Sequence, residues 1–413
     1  MQNNVKHHPQ EVGPTDILVG IPSFNNQTTI GHVVSAVRAG LAKYFPDRKA
    51  LIVNSDGGST DGTADAVSKA LDVGLDALLI EHPLHPINKI ITPYHGIPGK
   101  GSALRMIFEL AEKTGARACA VVDSDLRSIT PEWVQLLIGP VIRENFDFVA
   151  PLYHRHKYDG TITNSIVYPL TRALYGKRVR QPIGGDFGFS GRLASHYLSQ
   201  DVWHTDVARF GIDIWMTTTA VTDGFSVCQS FLGAKIHDPK DPGVDLSSML
   251  TQVVSSVFDL MEKNHSLWEK VAGSEPVPLF GFQYAVGLEP VAVNTGRMIR
   301  QFNLGMSELG EVWEKFLSPE VIRELLKLTA ADEERFIFPP ELWVKTIYEF
   351  GAAYHKRLMG RDHLLRALTP LYLGRTAAFV LETRDADANT VDGIIEDLCL
   401  GFERQKKKLA EDW

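Results

Sequence analysis

The chain has 413 residues, 44% of them hydrophobic and 22% charged, which suits two or three domains around a sizeable core. Its formal net charge of −8 gives no electrostatic reason to expect a nucleic acid or an anionic membrane as partner, so any anionic ligand has to be met by local cations. Cys119, Cys228 and Cys399 are too scattered for a disulfide framework, the amino-terminal stretch lacks a signal-peptide core, and no window reaches the roughly 18 apolar residues of a spanning helix.

These features lead us to expect a cytoplasmic protein with no membrane span. From the amino end, "DILVGIPSF" (16–24) reads as a buried strand. Ile30, Val33, Val34, Val37 and Leu41 then share one helical face, and "ALIVNS" (50–55) reads as strand again. A helix is expected from about Thr60, a strand at 76–81, a helix from Ser102, a strand at 118–122, a helix from Pro131 and a strand at 147–153. Strands alternating with helices of this length predict βαβ units, a mostly parallel sheet and helices on both of its faces. Such sheets bind ligands beyond the carboxyl ends of their strands. After "SEPVPLFGF" (274–282) the apolar spacing is helical almost throughout, so we expect one domain over 1–270 and a helical domain over 271–413. The helical part would serve as an acceptor-side cover or a contact in a homo-oligomer.

The chemistry concentrates where the strands end. "VVDSDL" carries Asp123 and Asp125 after an apolar run, and side chains two apart on a strand point the same way, so both carboxylates can meet one hard cation. A turn cap and a solvated aspartate would satisfy the same spacing. "NSDGGSTDGT" (54–63) sets Asp56 in a glycine-rich turn, where it could accept from a base or ribose or simply shape the turn ahead of a cap at Ser59 or Thr60. "GIPGKGSALR" places Lys100 between glycines at a helix start, a position suited to an anion, although the spacing is not that of a phosphate-binding P-loop. In "QPIGGDFGFSG" the pair Gly184-Gly185 lets a backbone pass close to a ligand beside Asp186. Asp213 opens an apolar helical run, as a cap or as a catalytic carboxylate, and His237 follows a short apolar segment as a further metal donor or a structural histidine.

Taken in order, "PSFNN", "SDGGSTDGT", "GKG", "DSDL", "QPIGGD", "FGIDIW" and "AKIH" resemble nucleotide-sugar-dependent glycosyltransferases of the GT-A fold. Within these they are most similar to the retaining mannosylglycerate synthases and glucosyl-3-phosphoglycerate synthases. The resemblance implies that Pro22, Asp56 and Lys100 hold the nucleotide and its diphosphate. It implies that Asp125 and His237 bind a divalent Mg²⁺ or Mn²⁺, with Asp123 beside them on the ribose or the metal. In "RHKYDGTIT" it implies that Arg155, Asp159 and Thr163 grip a glycerate-type acceptor, for which arginine offers a bidentate fork to a carboxylate. The glycine pair is expected to divide between the substrates, Gly184 toward the donor and Gly185 toward the acceptor.

The implied reaction moves mannose or glucose from GDP-mannose, GDP-glucose or UDP-glucose to D-glycerate or 3-phosphoglycerate with retention. Lys100 would face the developing diphosphate charge, and Asp213 and Asp186 are the carboxylates expected near the reacting centre. The loops 81–101 and 237–243 depart from the family pattern, which leaves the donor sugar and the charge of the acceptor open. Three other readings compete: an inverting family 2 glycosyltransferase building a polysaccharide or lipid-linked glycan, a nucleotidyltransferase, and a non-catalytic sugar-nucleotide sensor.

Overall fold

The computed structural model describes residues 5–6, 13–71, 76–81, 99–237, 247–284 and 286–413. Most of the loops 81–101 and 237–243 singled out above, namely 82–98 and 238–243, lies outside them. The strands are β1 (Val5–Lys6), β2 (Ile17–Ser23), β3 (Ala50–Asp56), β4 (Asp76–Glu81), β5 (Ala118–Val121), β6 (Phe148–His154), β7 (Lys177–Arg178), β8 (Phe187–Ser190), β9 (Val227–Ala234), β10 (Glu275–Pro276) and β11 (Leu279–Phe280). Among the described residues no helix is long and apolar enough to cross a membrane.

The chain divides into two compact units, and neither is continuous in sequence. The first comprises Met1–Arg155, Gln181–Asp238 and Val277–Leu288; the second comprises His156–Arg180, Pro239–Pro276 and Glu289–Trp413. The boundary expected at residue 270 is therefore replaced by several crossings. Its cause is that helices of the two units share one apolar period, so the pattern cannot say which core a helix joins.

The first unit holds a nine-stranded sheet in the order β1-β4-β3-β2-β5-β8-β6-β9-β11. Every neighbouring pair is parallel except those made by β8, which runs antiparallel between β5 and β6. The elements expected up to residue 154 are present with ends shifted by a few residues, whereas β8 and β9 were read as a turn and a short apolar segment. On one face α1 (Ile30–Tyr44) and α4 (Pro131–Glu144) pack with β2, β3 and β5 into a core that includes Ile17, Val19, Ile52, Val33, Val37, Trp133 and Leu137. Burying each large apolar side chain of this set contributes about 1.5–3 kcal/mol. On the other face α3 (Lys100–Thr114) lies so close over β2 that a Cβ at Gly20 would fall 2.5 Å from Ile107.

Helix α2 (Thr63–Ala70) begins later than expected, because Ser59 donates to Asp56 and the first turn is held instead by Asp61, whose Oδ1 accepts from the Thr63 backbone and hydroxyl. In α4, Pro131 occupies the first turn, where a missing N–H costs nothing. Pro140 inside the same helix cannot donate to the Leu136 carbonyl, and Ser230 of β9 donates to it instead at 2.7 Å.

The second unit is mainly helical. It contains α5 (Tyr168–Tyr175), preceded by a π-helical turn at Thr163–Val167, and the helices from α8 (Ser247–Lys263) to α15 (Ala388–Asp412). The strands β7 and β10 pair within it. Arg172 of α5 is fully buried and is neutralised by Glu396 and Glu403 of α15, with its Nε also donating to Ser274.

Candidate functional site

The topology of the first unit decides which residues meet. In a parallel sheet all carboxyl ends lie along one edge, and an antiparallel strand brings its amino end there. The pairing of Val121 with Phe187 therefore sets Asp186, just before β8, beside Asp123, just after β5. Strands β6 and β9 end on the same edge and deliver Tyr153 and Lys235. Lys100 arrives at the amino end of α3, and Asp213 in the first turn of α7 (Ile212–Thr222).

These six side chains form one largely buried network. Lys100 Nζ lies 2.9 Å from Asp123 Oδ1 and 3.1 Å from Asp213 Oδ2. Lys235 Nζ lies 2.7 Å from Asp123 Oδ2, 2.7 Å from Asp186 Oδ2 and 2.8 Å from the Gly184 carbonyl. Tyr153 donates to Asp186 Oδ2, and the Asp123 backbone donates to Asp186 Oδ1 at 2.8 Å. Arg155 lies over the Tyr153 ring, its guanidinium carbon 5.1 Å from the ring centroid.

Each protonation state follows from burial set against the neighbouring charges. Burial alone would raise the Asp123 carboxyl, but Lys100 and Lys235 outweigh it and hold Asp123 well below the usual carboxylate range. For Asp186 and Asp213 burial wins, and both are raised despite Lys235 beside the first and Lys100 beside the second. Burial also works against the two ammonium groups. Their carboxylate partners nevertheless raise both, so Lys100 and Lys235 stay charged.

Glycines make the room. Gly185 has φ +88°, and a Cβ there would fall 2.2 Å from Asp123 Oδ2; a Cβ at Gly184 would meet the Pro151 ring at 2.2 Å. The glycines around Lys100 have another cause than an anion. A Cβ at Gly99 or Gly101 would lie 1.9 Å from the carbonyl of Ala208 or Val207, so they let the 206–209 turn pass against the start of α3.

The other expected residues fall as follows. Asp56 is buried and shapes its own turn, accepting from Ser23 and Ser59 hydroxyls and from the Gly58 and Ser59 backbone at 2.6–3.0 Å. Four such bonds use the approximate acceptor capacity of a carboxylate. Pro22 lies in β2 opposite Ser55, beyond the last β2–β5 pair at Gly20 and Val121. Asp125 and His237 are both half-buried. The segments that carry them adjoin, since the Arg127 N–H donates to the Ile236 carbonyl at 2.9 Å and the Ile236 N–H to the Ser128 hydroxyl at 2.9 Å. Among the described residues no three His, Cys, Asp or Glu side chains gather as a metal cluster. Asp159 and Thr163 belong to the second unit, whereas Arg155 closes a segment of the first.

Lys235 and Tyr153 were not singled out from the sequence. Their signals are a lysine directly after eight buried strand residues, and a tyrosine hydroxyl at the end of "DFVAPLY" that needs a buried partner.

Residues 18–203 match the model of the family Glycosyl transferase family 2. No curated protein sequence matches the chain. Among solved structures, glucosyl-3-phosphoglycerate synthase from Mycobacterium tuberculosis in complex with Mn²⁺, uridine diphosphate and glucosyl-3-phosphoglycerate is similar at 22% identity and a TM-score of 0.45, over 60% of this chain and 80% of that one. The same enzyme with Mg²⁺ and uridine diphosphate is similar at 21% identity and a TM-score of 0.44, over 63% and 85%.

Proposed function

We propose that this chain, a glycosyltransferase, moves a hexose from a nucleoside diphosphate sugar to the hydroxyl of a small glycerate-type acid, using a divalent cation. The observation that carries the reading is the buried network of Lys100, Asp123, Asp186, Asp213 and Lys235 on the carboxyl edge of the sheet. Two ammonium and three carboxylate groups leave it a formal balance of −1 when all are charged. A diphosphate adds about two more negative charges, which a divalent ion offsets.

The residues present fit such an ion. Asp125 and His237 offer a carboxylate oxygen and an imidazole nitrogen on adjoining segments, and a divalent ion held so shares its remaining coordination with the diphosphate. When bound, the ion supplies charge stabilisation to the departing phosphate. Lys100, fixed at the start of α3, supplies a second positive charge to the same group without reorganising. Lys235 and Tyr153 hold Asp186 and thereby the β5–β8 edge under the sugar. Asp213 Oδ2 is engaged by Lys100, while its Oδ1 is buried without a hydrogen-bond partner among the described residues and is the oxygen that orients the acceptor hydroxyl.

In the retaining reaction that the sequence resemblance implies, the hydroxyl attacks from the face the diphosphate leaves, and a leaving phosphate oxygen takes its proton. One observation favours a second reading: burial raises the Asp213 carboxyl, which suits a general base in an inverting transfer. The test is turnover of GDP-mannose, GDP-glucose and UDP-glucose with D-glycerate, 3-phosphoglycerate and lactate in Mg²⁺ or Mn²⁺, with the product anomer assigned by NMR. An α-linked product from an α-linked donor supports retention, and a β-linked one supports Asp213 as base. No turnover with any pair overturns the small-acid acceptor.

A further inference from the structure

We propose that the second unit binds a small monovalent anion, a halide or a one-carbon carboxylate such as formate, at Arg375. A cavity inside this unit is lined by Thr161, Asn164, Ser165, Arg375, Phe379 and Ile395, among others. Its free space is only about 20 Å³, little more than one water-sized centre requires.

Arg375 is 2% exposed, and its Nε is buried without a hydrogen-bond partner among the described residues. Among the described residues its Nη1 reaches the Phe338 carbonyl at 3.3 Å and, at 3.9 Å, the half-exposed carboxylate of Glu382. Contrast Arg172 of the same unit, equally buried, which has two glutamates within 2.5–2.8 Å. An arginine keeps its charge, and Glu382, half-exposed and beyond hydrogen-bond reach at 3.9 Å, compensates it only in part, so the cavity beside Arg375 favours a further negative group.

The surrounding chemistry suits such a group. The Asn164 carbonyl oxygen accepts from Arg180 at 2.8 Å, which turns the amide nitrogen, a donor, away from that cation. The hydroxyls of Thr161 and Ser165 are already engaged, by Tyr372 at 2.6 Å and the Thr161 carbonyl at 2.7 Å. Asn164 and Ser165 lie on the π-helical turn Thr163–Val167, a wide-turn geometry that recurs at ligand sites. Thr376 also lines the cavity, and Phe379, Ile394, Ile395 and Leu398 make one side of the wall apolar, which disfavours strongly hydrated or bulky anions. A water molecule would fill the space but add no negative charge.

The test is thermal unfolding of the full chain at constant ionic strength, with sodium gluconate, whose anion is too bulky to enter, replaced stepwise by bromide. Relative to R375M, the wild type should gain a saturating rise of about 2–4 °C, reproduced by formate. The absence of a saturating rise, or an equal rise in R375M, overturns the site. Should R375M fail to fold, anomalous diffraction from wild-type crystals grown in bromide decides. A bromide within hydrogen-bond distance of Arg375 supports the proposal, and no bromide there overturns it.

Discussion

Asp123 and Asp125 are one residue apart and carry different burdens. Asp123 shares its two oxygens between Lys100 and Lys235, so its charge is part of the folded framework. Asp125 is half-buried and pairs with no cation among the described residues. Substitutions should therefore separate stability from activity. K235M leaves Asp123 and Asp186 short of a buried counter-ion and is expected to cost about 3–5 kcal/mol of stability along with activity. D125A should stay within about 0.5 kcal/mol of wild type in denaturant unfolding and lose its metal-dependent turnover. Equal stability of K235M and wild type would contradict the network, and unchanged metal dependence in D125A would contradict its assignment as a metal ligand. The place of the aspartates at a strand end was legible from the apolar run before them. Their cationic partners were not, because Lys235 lies 112 residues away in the sequence.

At the scale of elements, β8 matters most, since an antiparallel strand inserted among parallel ones puts its amino end where the others finish. Gly185 sits just before it at φ +88°, with no space for a Cβ beside Asp123. G185A should cost about 1–3 kcal/mol and, by moving Asp123, lower turnover at least about tenfold, measured by unfolding and initial rates. The opposite end of the sheet is tied by Asp147, just before β6. Its carboxylate accepts from Ser190, Ser226 and Arg192, at 2.6 Å from Arg192 Nη2. Burial opposes the charge, but Arg192, Ser190 and Ser226 prevail and lower the carboxyl below its ordinary value. A lowered folded-state value means stability that is present above the unfolded value near 3.8 and is lost as pH falls through the folded one. D147N should accordingly be less stable than wild type at pH 7, with the difference closing below about pH 4 in a series of melting curves. A constant difference across that range would contradict the assigned cause.

For the whole molecule, the interleaving of units yields a prediction about fragments. A chain ending at residue 270, the boundary that composition suggests, keeps 156–180 and 239–270 but removes the helices from α10 (Thr295–Trp313) to α15, with which they belong in the second unit. Arg172, fully buried, would lose Glu396 and Glu403. The fragment should fail to give a cooperative transition in thermal unfolding, and a cooperatively folding monomer would show that the segments stand without their partners. The sequence by itself determined the βαβ alternation, the edge of the sheet where chemistry gathers, and the residue types there, because strand and helix periods and turn glycines are local signals. Only the tertiary structure decided that β8 runs against its neighbours, that Lys235 and Tyr153 complete the network, and that helices near residues 170 and 250 belong with the carboxyl-terminal ones. Those outcomes depend on which distant segments share a core and which buried charges find a partner, and a periodic pattern carries no information about either.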